Sequence, residues 1–259
     1  MKNKQIIFLI SNNNDLLELS RGIKNSTNID LNINYIKLIR EILENNKKNT
    51  YIIAEKSIKA ELYAICSKLL NPKLEYSIWI DEINNTSLNE KILEMITFYF
   101  SKSLITRTKQ MKFLLNQQYK KKVFVVYPWI KEKKYEKTPF LYKIFTNTSL
   151  RLPDKWKLVS NLENSDISII SLKDKELLSR LPNIIIKSIE ERIPTIIVYH
   201  KPKTVNKIFK YVKNVYVVKS IEDLDFNNLE YLAHQSYKFK IPKKFRFKYN
   251  LANLKKILK

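Results

Sequence analysis

Asp81, Lys173, Glu176, Ser179, Lys187 and His200 are the side chains whose type and placement suit chemistry on a small polar ligand. Asp81 closes the apolar run of residues 76–80, and a carboxylate at a strand end can orient or deprotonate a hydroxyl. It can equally cap the helix that follows. His200 and Lys201 close a second such run, where an imidazole can donate to an oxyanion or phosphate. A surface histidine with no role reads the same. Lys173, Glu176 and Ser179 line the polar stretch 171–181, and Lys187 sits on the helix after it. A solvated loop and a lysine whose stem covers apolar surface are the plain alternatives. Asn12, Asn13 and Asn14 offer amides for ligand hydroxyls, or a polar turn.

Lys173, Glu176, Ser179, Lys187 and His200 are positioned by a strand, loop, helix, strand unit over residues 165–200. Ile167, Ile169 and Ile170 make a short strand, and Ile185, Ile189 and Ile193 recur at helical spacing. Pro182 suits a first helical turn, and Pro194 ends the helix. The β-branched run 195–199 is a second strand. Ligands of such parallel units gather at the carboxyl ends of the strands, here residues 171–173 and 199–201.

The rest of the chain alternates in the same way. Strands are expected at 5–10, 50–54, 76–80, 103–106, 122–127, 140–145, 156–159 and 215–218. Helices are expected at 16–24, 31–45, 57–70, 88–100, 109–117 and 205–212. In the second of these helices Ile33, Ile36, Ile39 and Ile42 are the expected buried face. The charged, aperiodic stretch 131–137 is the linker candidate. The divisions are then 1–130, 131–137, 138–237 and a basic tail, 238–259, with nine Lys and Arg and no acid. That tail interleaves Phe239, Phe245, Phe247 and Tyr249 and ends in an amphipathic helix, Leu251, Leu254, Ile257 and Leu258.

Composition narrows the chemistry. A chain of 259 residues that is 44% hydrophobic can bury a core. Its single glycine, Gly22, rules out the glycine-rich phosphate loops, so any phosphate must be held by Lys or Arg, by hydroxyls or by helix amides. A formal charge of +23 favours an anionic partner: nucleic acid, an anionic membrane or a phosphorylated ligand. An AT-rich genome would produce the same bias towards Lys, Asn and Ile. Cys66 is alone, which excludes an internal disulfide and fits a reducing, cytoplasmic setting; its apolar helical surroundings suit an inert core thiol. No apolar run reaches the ~18 residues of a membrane span. Lys2 and Lys4 precede only a strand-length apolar run, not a signal peptide. Asp223-Leu224-Asp225 has the spacing of a metal-binding acid pair, but it lies at an expected helix start, where acids suit the dipole. No metal site is expected.

The order strand, small polar residue, loop, Pro182-Asn183, helix, Pro194, strand resembles the donor-binding segment of nucleotide-sugar glycosyltransferases of the GT-B fold, in their retaining group. Ser179 and Lys187 stand where that family has its sugar-facing and ribose-facing glutamates. The likeness extends to residues 100–130, where Thr108 stands for a serine before a helix and Pro128 for the proline before the linker. The paired Gly-Arg and Lys-Gly steps that grip the donor diphosphate in that family are absent. The resemblance implies an α/β fold of two Rossmann-like lobes facing a cleft, closed by a C-terminal helix. It implies a metal-independent transferase with a nucleotide sugar as donor. Lys173, Glu176, Ser179 and Lys187 would then bind the donor, with Asp81 and His200 as catalytic residues. The basic surface could hold such an enzyme at an anionic membrane. The alternative from another class is a non-catalytic nucleic-acid- or phosphate-binding protein on the same scaffold.

Overall fold

The computed structural model describes residues 5–11, 13–45, 49–81, 87–129, 141–173, 183–209, 212, 214–235 and 241–258. The chain is α/β, built on two parallel sheets, and divides into two compact units. One comprises Met1–Tyr127 with Asn250–Lys259, the other Pro128–Tyr249.

The first unit runs β1 (Gln5–Ile10), α1 (Asn14–Arg21), β2 (Ser26–Asp30), α2 (Tyr35–Asn45), β3 (Thr50–Glu55) and α3 (Ile58–Leu70). It continues with β4 (Glu75–Ile80), α4 (Leu88–Phe100), β5 (Ser103–Thr106), α5 (Lys109–Tyr119) and β6 (Val123–Val125). All its strands pair in parallel, in the order β2-β1-β3-β4-β5-β6. A parallel sheet is covered on both faces, so its strands are unbroken apolar runs rather than alternating ones. In β3 every residue of TYIIAE is buried. Ile7 and Leu9 of β1 join one large cluster with Tyr63 of α3, Phe98 of α4 and Met111 of α5. Ile6 and Phe8 point to the other face by strand alternation and are buried too.

Five helices of this unit begin on a side-chain cap: Asn13 for α1, Asn34 for α2, Ser57 for α3, Ser87 for α4 and Thr108 for α5. At Ser87 the bond is reciprocal, because Glu90 accepts from the Ser87 amide. Each cap satisfies an amide that the helix cannot.

The second unit runs β7 (Lys143–Thr146), β8 (Lys157–Val159), β9 (Ile167–Ser171), α6 (Asn183–Glu190), β10 (Thr195–Val198), α7 (Pro202–Phe209), β11 (Val215–Val218) and α8 (Phe226–Gln235). The last helix, α9 (Phe247–Ile257), follows. The strands are again parallel, in the order β8-β7-β9-β10-β11. This is the path of the first five strands of the other sheet, repeated. In both, the chain steps from the first strand to one side, then crosses back to the other. The reversal falls between β1 and β3 in the first sheet and between β7 and β9 in the second. Loops leave such a point in opposite directions and open a crevice at the carboxyl ends of the strands.

Some expectations are corrected. The face of α2 is Leu38 and Ile42, which are buried, whereas Ile36 and Ile39 are 82% and 58% exposed. Three-residue spacing drifts around a 3.6-residue helix, and the core takes the positions four apart. Residues 26–30 form a strand that polar STNID does not suggest; it is an edge strand and buries only Ile29. Ile193 is buried but lies past the end of α6. The linker candidate 131–137 lies outside the described residues, as do Asn12 and Phe239.

Candidate functional site

The carboxyl edge of the first sheet gathers polar side chains from three strand ends. Asp81, the residue after β4, accepts from Trp79 Nε1 at 3.0 Å and from the side-chain amide of Asn13. Asn13 belongs to the loop after β1, and its Oδ1 is already committed to the Leu16 amide at 2.8 Å. The amide can therefore point only its NH2 at Asp81. From the end of β5, Arg107 places Nη2 2.5 Å from Asp15 Oδ2 and Nε 4.0 Å from Asp81 Oδ1. Its guanidinium carbon lies 5.4 Å from the centre of the Trp79 ring, within cation–π range.

Asp81 is 31% exposed, so one side of the carboxylate is reachable. Burial pushes its proton affinity above the ordinary Asp value, and the Asp15 charge adds to this. Arg107 and the bonds from Trp79 and Asn13 work the other way. The product is an oriented carboxylate, more basic than a free one, with a guanidinium beside it. That is the equipment for taking a proton from a bound hydroxyl.

Behind this edge lies a second buried polar group. Lys56, the residue after β3, pairs with Glu94 Oε2 of α4 at 2.7 Å, and Tyr119 donates to Glu94 Oε1 at 2.7 Å. Glu61 of α3 is 4% exposed, and burial pushes its carboxyl up to about 7, against the pull of Lys56.

In the second unit the strand order reverses between β7 and β9, and this switch point lies where Ser171–Lys173 leaves β9. Asn147, just after β7, spans it by accepting from the Ser171 amide at 2.8 Å and donating to the Ser171 carbonyl at 3.0 Å. The β9–β10 register pairs Ser171 with Val198. Lys173 and His200 each stand two residues past that pair, beyond the carboxyl ends of the two strands. Glu176 and Ser179 lie outside the described residues.

Lys187 goes elsewhere. Helix α6 runs back from the carboxyl edge, and Lys187 is in its last turn, at the amino edge of the sheet. There it pairs with Glu163 Oε1 at 3.0 Å, on the 3-10 turn just before β9. Lys187 is the fifth of the eight residues of α6, and its partner is Glu163.

Other candidates have structural partners. Asp223 accepts from the Ser220 amide at 3.0 Å and Asp225 from Asn228 Nδ2 at 2.7 Å, both at turn or helix starts. Thr108 caps α5. In the basic tail Phe245 is buried with Lys244 Nζ 4.8 Å from its ring centre, and Phe247 packs edge-on to Trp129. Cys66 is half-buried against the first core. Among the described residues no three His, Cys, Asp or Glu side chains gather as metal ligands would. No described helix is long and apolar enough to cross a membrane.

Sequence reasoning missed Arg107, Asp15 and Asn147. Arg107 directly follows a strand, and that position was its one visible signal. The fold class is α/β, two units each built on a parallel sheet in which the strand order reverses once. No protein-family model matches the chain, and no curated protein matches it.

Proposed function

We propose that the chain is a metal-independent transferase that moves a sugar from a nucleotide sugar to a hydroxyl acceptor. The observation that supports this most is the oriented, partly exposed Asp81 carboxylate at a strand-end crevice. The acceptor O–H gives its proton to Asp81 as its oxygen bonds to the anomeric carbon. The bond from that carbon to the phosphate oxygen breaks, and the nucleoside diphosphate leaves with the electron pair. Taken by itself, the second unit offers Lys173 and His200 at strand ends, groups able to bind a diphosphate by charge and by hydrogen bond. Helix and strand-end groups must do this work, because no glycine-rich loop exists to do it.

The excess of Lys and Arg over Asp and Glu, 48 to 25, favours a second reading: a non-catalytic nucleic-acid- or phosphate-binding protein. A thermal-shift screen with nucleoside diphosphates and their sugars separates the two. A ligand at 100 times its Kd adds about 2.7 kcal/mol of stability. The transferase reading expects such a shift with a donor nucleotide. It also expects Asp81→Asn to cut turnover by about 10²–10⁴-fold while leaving that shift intact. No shift with any nucleotide, together with nucleic-acid binding that falls steeply with salt, replaces it by the second reading.

A further inference from the structure

Helix α4 is turned inside out. Its buried side carries Glu94 and Thr97 beside Phe98, while Leu88, Ile92, Met95, Ile96 and Tyr99 are 74%, 49%, 62%, 42% and 73% exposed. Their spacing of three and four residues lines them along one outer stripe. Phe100 extends it at the C-terminal end, and Phe113 and Leu114 of α5 are exposed as well. A helix apolar on its solvent face needs a covering medium.

The surrounding charge says which one. From the start of α4 to residue 122 the acids are Glu90, held by the Ser87 amide, and Glu94, turned inward onto Lys56. Lys91, Lys109, Lys120 and Lys122 are exposed over the same stretch. Lys121 reaches back to the C-terminus of α4, donating to the Tyr99 and Ser101 carbonyls at 2.5 and 3.0 Å, with its Nζ 5.7 Å from the Tyr99 ring centre. An apolar stripe, an aromatic pair at its end and an excess of flanking lysines match an anionic lipid surface. A second copy of a chain with net charge +23 would bring like charge to the same face.

We propose that α4 is a membrane-surface docking helix, lying in the plane of an anionic bilayer with its apolar stripe at the acyl boundary and its flanking lysines on lipid phosphates. Its 13 residues reach about 20 Å, short of the ~30 Å hydrocarbon core, so it rests on the bilayer and does not cross it. The inference is independent of whether the strand-edge sites transfer a sugar.

The test is co-sedimentation of the full chain with vesicles of phosphatidylcholine alone or with phosphatidylglycerol added. Binding is expected only to the anionic vesicles. Ile92→Ser with Met95→Ser should weaken it at least ~10-fold, since both side chains leave the acyl boundary. Lys91→Gln should weaken it roughly fivefold, the share of one lysine at such a surface. These positions are exposed, and circular dichroism confirms that each variant folds. Equal binding to both vesicles, or binding untouched by the apolar double variant, overturns the proposal. So does an absence of vesicle binding. If a dimer in sedimentation velocity is then split by Ile92→Ser with Met95→Ser, the stripe is a contact between copies of the chain.

Discussion

The side-chain amide of Asn13 holds helix α1 with its oxygen and Asp81 with its nitrogen, so one residue ties the loop after β1 to the end of β4. The same contact that starts a helix also aims the carboxylate proposed as the base.

Asn13→Ala should therefore show two effects. Loss of the cap should lower stability by about 1 kcal/mol, read by urea unfolding. Loss of the donor should raise the proton affinity of Asp81, because hydrogen bonds to a carboxylate favour its charged form. A base works when deprotonated, so the acidic limb of a rate–pH profile should move to higher pH. Arg107→Gln should move it the same way, since the guanidinium also favours the ionised carboxyl. A limb that stays in place in both variants would remove Asp81 from the role of base.

Glu61 makes stability depend on pH. Its folded value of about 7 lies above its ordinary 4.5. Between these values the folded chain holds a proton that the unfolded chain has lost. Stability should fall as pH rises from about 4.5 to about 7 and level off above, with the full benefit present below. Each tenfold change in proton affinity is worth about 1.4 kcal/mol, so the loss is of order 3 kcal/mol. Glu61→Gln should flatten this part of the curve. Denaturant unfolding at pH 5 and pH 8 reads the difference, and an unchanged slope in the variant would place the titration elsewhere.

Gly22, the one glycine, is kept for room and not for its backbone. Its φ of −83° suits any residue, but a methyl there would come within 2.7 Å of Leu251 Cδ2 on α9. Gly22→Ala should cost no more than about 1 kcal/mol, because the tip of the half-buried Leu251 side chain can turn aside. Adding Leu251→Ala should make the glycine change nearly neutral. A double-mutant cycle with no coupling would show that the two do not pack together.

Lys187→Glu should leave nucleotide binding unchanged within about twofold, because its partner Glu163 sits at the amino edge of the sheet. The exposed ion pair is worth at most ~1 kcal/mol of stability. An affinity loss of 1–3 kcal/mol for nucleoside diphosphates, the size of a lost charged hydrogen bond, would bring Lys187 back into the donor site.

The parallel strands were legible because burial on both faces demands runs such as IIFLI, YIIA and SIWI. Strand β2 was not, since an edge strand is held by backbone bonds that polar STNID makes as well as any sequence. Asp81 and His200 were legible as strand-end residues. The partners of Asp81 were not, because Asn13 lies 68 residues away in the chain, and Arg107 meets Asp15 across 92.

Hydrophobic runs, their periods and the helix breakers determined the order of strands and helices, for these follow from local backbone geometry and burial. Tertiary structure alone decided the strand order within each sheet and with it the point where that order reverses. It turned Arg107 into the core and Lys187 to the far edge. It also left the apolar side of α4 outside, because Glu94 finds Lys56 and Tyr119 within. Such choices depend on which distant side chains can satisfy a buried charge, and sequence spacing carries no record of that.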